Sequence, residues 1–228
     1  VHLPANTRYD PFHKPVADYY MNPSGVDTAG VESRRLQPDE DYIRIGLERA
    51  QGEDRIWYVR DLEQIPERFG LFDRAMSETF AHCGTLIENG HYLVDFYIEP
   101  PQADDIEMRF GESVALVPFF DFERNIPDVA LISSGWIVDD DVPPYTYSVA
   151  LHVVDTDGNI VTQADYPLPQ AGAHCGYGTL DLSGLAGGRY EVMVSVYAWE
   201  SGERLPGTME NSNATSERLS LGVIIREN

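Results

Sequence analysis

Cys83 and Cys175 are the two cysteines of the chain, and they stand in matching words, Ala81-His-Cys-Gly84 and Ala173-His-Cys-Gly176. Three chemistries fit such a pair. In an oxidising compartment the two sulfurs join as a disulfide. Each can instead act as a small buried hydrophobe. His82, Cys83, His174 and Cys175 together also offer the nitrogen and sulfur donors of a tetrahedral zinc site. Adjacent residues of an extended chain point to opposite faces, which works against four donors converging from two His-Cys pairs. The expectation is therefore a Cys83–Cys175 disulfide or two separate thiols, with no metal and no cofactor.

Other residues of chemical interest read as structure. Asp155-Thr-Asp-Gly-Asn159 carries part of the alternation of a calcium loop. It is short and flanked by strand-like runs, so it predicts a hairpin turn in which Asp157-Gly158 supplies the positive φ angles. Asp139-Asp140-Asp141, ahead of Val142-Pro-Pro144, reads as a solvated loop. No G-x-S-x-G, P-loop, H-E-x-x-H or dinucleotide fingerprint occurs, and a triad built on His91 or His152 has no placed nucleophile. No catalytic residue is assigned. Trp57, Trp136 and Trp199, with Tyr145, Tyr147 and Tyr197, have the apolar rings and polar tips that stack on sugars. Mid-strand aromatics are more often core. That leaves Trp199, near a strand end on the less apolar face, and Tyr197 as the candidate ligand contacts.

The surrounding composition limits the partners. In 228 residues, 16 Lys+Arg face 38 Asp+Glu, a formal net charge of −22. Such a surface repels phosphate backbones and anionic headgroups, so nucleic acid is excluded as an unaided partner and a neutral or cationic one is expected. Lys14 is the sole lysine, a bias that fits genome composition or adaptation to salt. Aromatic content of 11% and long apolar runs place the chain among folding sequences. Its length suits one or two domains. It begins with Val, has no signal-peptide pattern and no apolar run near the roughly 18 residues of a membrane span, so it is expected to be cut from something larger.

These residues need elements to hold them. Residues 1–37 show no period and read as an irregular leading segment with tyrosine anchors. Asp39, Glu40 and Asp41 favour a helix start, and Ile43, Leu47 and Ala50 recur at helical spacing, predicting a helix over 39–51. Arg55–Arg60 reads as a buried strand. Ile65, Phe69, Phe72, Met76 and Phe80 mark one face of a second helix, and Tyr92–Glu99 reads as a strand. Pro100-Pro101-Gln-Ala-Asp-Asp105 resembles a linker. Beyond it eight runs are strand-like: Ile106–Phe110, Val114–Phe119, Val129–Val138, Tyr145–Val154, Ile160–Asp165, Tyr177–Leu182, Tyr190–Trp199 and Glu217–Ile225. In the seventh, Tyr190, Val192, Val194, Val196 and Ala198 form the better core face. The predicted fold is α+β: a small α/β unit with an irregular N-terminal segment over 1–103, then an antiparallel β-sandwich, immunoglobulin-like or jelly-roll-like, over 104–228.

The order of motifs in the second half is informative. Ser134-Gly-Trp136 ends one strand, and a later strand leads into Asp155-Thr-Asp-Gly158. Val161-Thr-Gln-Ala-Asp165 and Pro169 follow, then Gly187-Gly-Arg-Tyr190, Val196-Tyr197, Gly202-Glu-Arg-Leu205 and Leu221-Gly222. This order resembles the soluble C-terminal β-sandwich of bacterial multi-spanning glycosyltransferases related to protein O-mannosyltransferases. Arg55-Ile-Trp-Tyr-Val59 is similar to the strand that follows that family's last membrane helices. His174-Cys175 departs from the family, which has a tryptophan-rich stretch there. The resemblance covers roughly residues 40–228 and implies an extracytoplasmic, non-catalytic accessory or substrate-docking domain. Its implied partners are a membrane-embedded parent domain and a glycan or glycan acceptor. In such enzymes the acidic residues that act on the lipid-phosphate sugar lie between membrane helices, so no catalytic residue carries over. Two other classes stay open: a free-standing carbohydrate-binding or surface-interaction module, and an enzyme with an unrecognised carboxylate site.

Overall fold

The computed structural model describes residues 2–3, 29–30, 39–52, 56–61, 66–88, 92–123, 128–212 and 214–226. The chain divides into two compact units, Val1–Pro100 and Pro101–Asn228.

The first unit contains strands β1 (His2–Leu3) and β2 (Ala29–Gly30), helix α1 (Asp39–Ala50), β3 (Ile56–Asp61), helix α2 (Pro66–Thr79), β4 (Ala81–Glu88) and β5 (Tyr92–Ile98). The sheet order is β2-β1-β3-β5-β4. β1 runs parallel to β2 and β3, whereas β5 is antiparallel to both β3 and β4. Pro66 occupies the first position of α2, where its missing N–H costs no helix bond. Ile43, Leu47 and Ala50 from α1 meet Phe72, Met76 and Phe80 over Ile56, Tyr58 and Tyr97, as the helical spacing predicts. Two features differ from the sequence reading. β1 and β2 add regular pairing inside a segment expected to be irregular; strands of two residues carry no period, and pairing with β3 and with each other creates them. β4 was not foreseen because register shifts at His82/Gly84 and Thr85/Ile87 break its alternation. The remainder of the tyrosine-bearing leading segment, together with Ile65 and His91, lies outside the described residues.

The second unit is built of β6 (Met108–Phe110), β7 (Val114–Glu123), β8 (Val129–Val138), β9 (Tyr147–Val154), β10 (Ile160–Leu168), β11 (Gly172–Asp181), β12 (Gly188–Ala198), β13 (Gly207–Met209), β14 (Thr215–Ser216) and β15 (Leu219–Arg226). One sheet has the order β11-β8-β7-β6-β13-β14, and the other β10-β9-β12-β15. Every described pairing in both is antiparallel. Alternate residues of the two sheets meet in one core: Phe110, Leu116, Ile132, Trp136 and Leu180 from the first, and Val149, Leu151, Val153, Val192, Val194 and Val196 from the second. Burial of each such side chain contributes about 1.5–3 kcal/mol. The unit is a β-sandwich, the fold class expected. β13 and β14 escaped the sequence reading, since three and two residues are too short to show a period.

The connections follow local chemistry. At the β9–β10 turn the Asp155 carboxylate accepts the Asp157 and Asn159 N–H groups at 2.9 and 2.8 Å, and Gly158 has φ 82°. The hydrogen bonds from Asn159 hold the Asp155 carboxyl below its usual range. The segment is a hairpin turn, as predicted, but the positive φ falls on Gly158 and not also on Asp157. Entering β12, the Tyr190 hydroxyl donates to the Ala186 carbonyl at 2.9 Å, the corner device of many sandwiches.

The core holds one polar network. The Trp136 indole N–H donates to Ser134 Oγ at 2.9 Å and to the Tyr166 hydroxyl at 3.0 Å, and those two oxygens lie 2.6 Å apart. Desolvation pushes the Tyr166 phenol well above its ordinary value. Trp136 is thus core, and the Ser134-Gly-Trp136 motif marks this network. It also explains why β11 starts at Gly172, five residues before the predicted Tyr177. Glycine weakens the strand pattern, but a Cβ on Gly176 would collide with the Tyr166 ring and one on Gly178 would meet Leu151 at 2.6 Å. Gly176→Ala is expected to destabilise the sandwich by about 1–3 kcal/mol, because the ring it displaces is pinned by hydrogen bonds. A chemical denaturation midpoint equal to that of the unaltered protein would contradict this.

Candidate functional site

The sandwich distributes the residues of interest over distinct places. Cys83 lies on β4 in the first unit and Cys175, buried, on β11 in the second, and neither sulfur is a free thiol. Among the described residues, no three His, Cys, Asp or Glu side chains are grouped to hold a metal ion. The His174 imidazole is engaged by the backbone, with Nε2 at 2.6 Å from the Gln170 carbonyl and 3.0 Å from that of Ala171. Of the aromatic candidates, Trp136 is fully buried and Trp57 is stacked on Phe96 with centroids 5.0 Å apart.

Trp199 and Tyr145 are different: they are 66% and 62% exposed. Both stand at the same end of the β10-β9-β12-β15 sheet, where the Trp199 N–H donates to the carbonyl of Thr146, next to Tyr145, at 2.9 Å. Tyr145 has φ 59°, an unusual backbone state for a non-glycine residue. It is held there by its N–H, which donates to the Pro169 carbonyl at 3.2 Å. Strained backbone that carries an exposed ring is a feature found at binding sites.

Below this end, the strand registers define the outer face of the sheet. Gln163 and Met193 flank His152, and Asp165 and Ser195 flank Ala150. Pro167 and Tyr197 flank Ser148 in the next row, and Tyr197 bridges Arg204 on its other side. Leu219 pairs with Val194, so Arg218 follows one step on, beside Ser195. Small residues therefore form a strip, Ser148, Ala150 and Ser195, with long side chains around it. His152 is 3% exposed and Ser195 0%. His152 Nδ1 and Ser195 Oγ are buried without a hydrogen-bond partner. Each such atom costs about 1–3 kcal/mol relative to a satisfied one.

The electrostatics of this face follow from its neighbours. Burial lowers the His152 pKa, and the Arg218 and Arg204 guanidinium groups lower it further; Asp165 opposes them. Tyr197 is raised, first by desolvation and then by the Asp165 carboxylate. Ser195, His152 and Asp165 are the residue types of a hydrolytic triad, and Ser195 is the hydroxyl that the sequence reading did not place beside His152. No hydrogen bond joins the three, so the proton path of such a triad is absent from this arrangement. Strand alternation in β12 carried the signal for Ser195. Its pairing with β9 did not show in the sequence.

No family model and no curated protein matches the chain. Among solved structures it is similar to the C-terminal domain of wzt, at 7% identity over 57% of this chain and 83% of that one, with a TM-score of 0.37. A Bacteroides uniformis β-glucuronidase matches at 13% identity over 54% of this chain and 19% of that one, TM-score 0.30. A putative β-galactosidase from Bacteroides fragilis matches at 12% over 53% and 18%, also at 0.30. The chain spans under a fifth of the length of either glycosidase. Overlaps this loose carry no functional inference.

The lowered His152 pKa has a consequence for stability. The unfolded chain takes up this proton near pH 6.5 and the folded one only at lower pH. The contribution of neutral His152 is therefore complete above pH 6.5 and is lost as the pH falls below it. His152→Leu removes that dependence: between pH 7.5 and 5, the denaturation midpoint of the variant is expected to gain on that of the unaltered protein. A constant difference across the range would show that His152 does not titrate differently on folding.

Proposed function

We propose that the sandwich is a non-catalytic glycan-docking module, serving as an extracytoplasmic accessory domain of a membrane glycosyltransferase. The exposed pair Tyr145 and Trp199 carries the docking part of this reading. Two large rings held at one sheet end by a backbone hydrogen bond offer the apolar faces on which sugar rings stack. Tyr197, on the adjoining outer face, adds a partly buried ring with a polar tip. The motif order that resembles the glycosyltransferase family supports the second part. Among the described residues no helix is long and apolar enough to cross a membrane. The free-standing module shares the same surface. Apolar spans encoded directly upstream of Val1 would distinguish the accessory domain from it.

Two outcomes check this reading. Calorimetric titration with manno- and gluco-oligosaccharides of four units should detect binding that weakens about tenfold or more in Trp199→Ala and in Tyr145→Ala. Both rings are exposed, so their removal should leave the thermal midpoint within a few degrees. Binding indifferent to both substitutions would place the site elsewhere. The extracytoplasmic assignment also rests on a Cys83–Cys175 bridge. Alkylation without reductant should add no mass, and reduction should expose two thiols to the reagent. Two adducts before reduction would remove that support.

A further inference from the structure

The strip beside the aromatic pair is built for more than a neutral sugar hydroxyl. Its long row runs Asp165, Ala150 and Ser195 across three strands, and Arg218, in the bend just before β15, extends it past Leu219, the partner of Val194. Three strand spacings, roughly 14 Å, separate its carboxylate end from its guanidinium end. Arg218 is partly buried and makes no ion pair among the described residues, in a chain with 38 acids for 16 bases. Arg204, in the neighbouring row, meets Glu217 only at 3.8 Å. Ser195 Oγ, next to Arg218 in the row, and His152 Nδ1, diagonal to Ser195, are buried without a partner. Guanidinium groups are donors only, and the hydroxyl and a neutral imidazole each carry one donor. All four can therefore donate to a group that only accepts. A carboxylate is such a group, and guanidinium binds it with two parallel hydrogen bonds.

We propose that the Arg218 end of this strip, with Arg204, Ser195 and His152, is a subsite for a carboxylate of the docked glycan, making the ligand an acidic, uronate-type oligosaccharide. This inference rests on the docking function proposed above. Four residues of β12 and its end, about 13 Å at 3.3 Å per residue, separate Ser195 from Trp199, so a ligand that reaches both is an oligosaccharide and not a single sugar. The remaining charged groups on this side, among the described residues, are Asp165, Glu191, Glu217 and Arg189, the last exposed near the start of β12 opposite Ile225. Asp165 lies at the far end of the row, Glu191 is exposed one pair beyond His152 along β12, and Glu217 faces Arg204. At His152 both arginines outweigh Asp165, although the whole chain is strongly negative. The overall charge opposes the approach of an anion at long range. The subsite acts at contact distance, where the local guanidinium groups dominate.

The test compares tetragalacturonate with its fully methyl-esterified form, which has the same sugars without the charge. Affinity is measured by calorimetry, and the His152 ring resonances are followed by NMR through a pH titration. The expected result is binding of the acid form at least tenfold tighter than the ester. That ratio should fall toward one in Arg218→Gln, and the His152 pKa should rise when the acid form, but not the ester, is bound. Equal affinity for the two forms would overturn the carboxylate subsite and leave glycan docking standing. Binding of neither form, with no shift of any resonance near Trp199, would overturn both. The comparison on the unaltered protein does not depend on whether Arg218→Gln folds.

Discussion

Leu151, Val153, Val192, Val194 and Val196 must be kept from water, and most of the second unit follows from that requirement. They occupy alternate positions on two paired strands, so one face of the four-stranded sheet is apolar from edge to edge and closes on Phe110, Leu116 and Trp136 of the other sheet. Because side chains alternate, sealing this face assigns every intervening residue to the opposite one. Ser148, Ala150, His152, Ser195 and Tyr197 are brought together on the outer face by the burial of their neighbours.

The same closure accounts for the polar group in the core and for the glycines above it. An indole N–H buried against valines needs an acceptor, and Ser134 and Tyr166 provide two. Placing the Tyr166 ring there takes the space that a side chain at position 176 would use, so the facing strand carries glycine. Loss of strand propensity at Gly176 is the cost of satisfying Trp136, whereas Gly178 makes room for Leu151. The interior of the sandwich is thus fully paired at Trp136, whereas the outer face leaves His152 and Ser195 unpaired. The unpaired polar atoms thus lie on the outer side of the four-stranded sheet, opposite the apolar core, and are themselves buried.

Much of the architecture was readable in advance. Helical spacing of Ile43, Leu47 and Ala50 and of Phe72, Met76 and Phe80, the Asp157-Gly158 turn, and the valine face of β12 all appear where the pattern put them. What escaped shares one cause. β4 is interrupted by two register shifts, β11 by glycines, and β1, β2, β13 and β14 are too short for alternation to register. Periodicity reports a side chain's own strand and is silent about pairing at an edge.

The candidate site divides along the same line. Residue types and the period of two determined by themselves that Tyr197 and Trp199 leave the core side of their strand, that Asp155–Asn159 turns a hairpin, and that no recognised catalytic motif is present. Three things were decided only by the tertiary structure. The pairing of β9 with β12 sets His152 diagonal to Ser195. The return of the chain at residues 204 and 218 brings two arginines to that face. A backbone hydrogen bond at the sheet end joins Trp199 to the Tyr145 turn. The physical reason is that alternation is a property of each strand taken alone. Register, and with it every neighbour across strands, is settled by which apolar faces can be buried together.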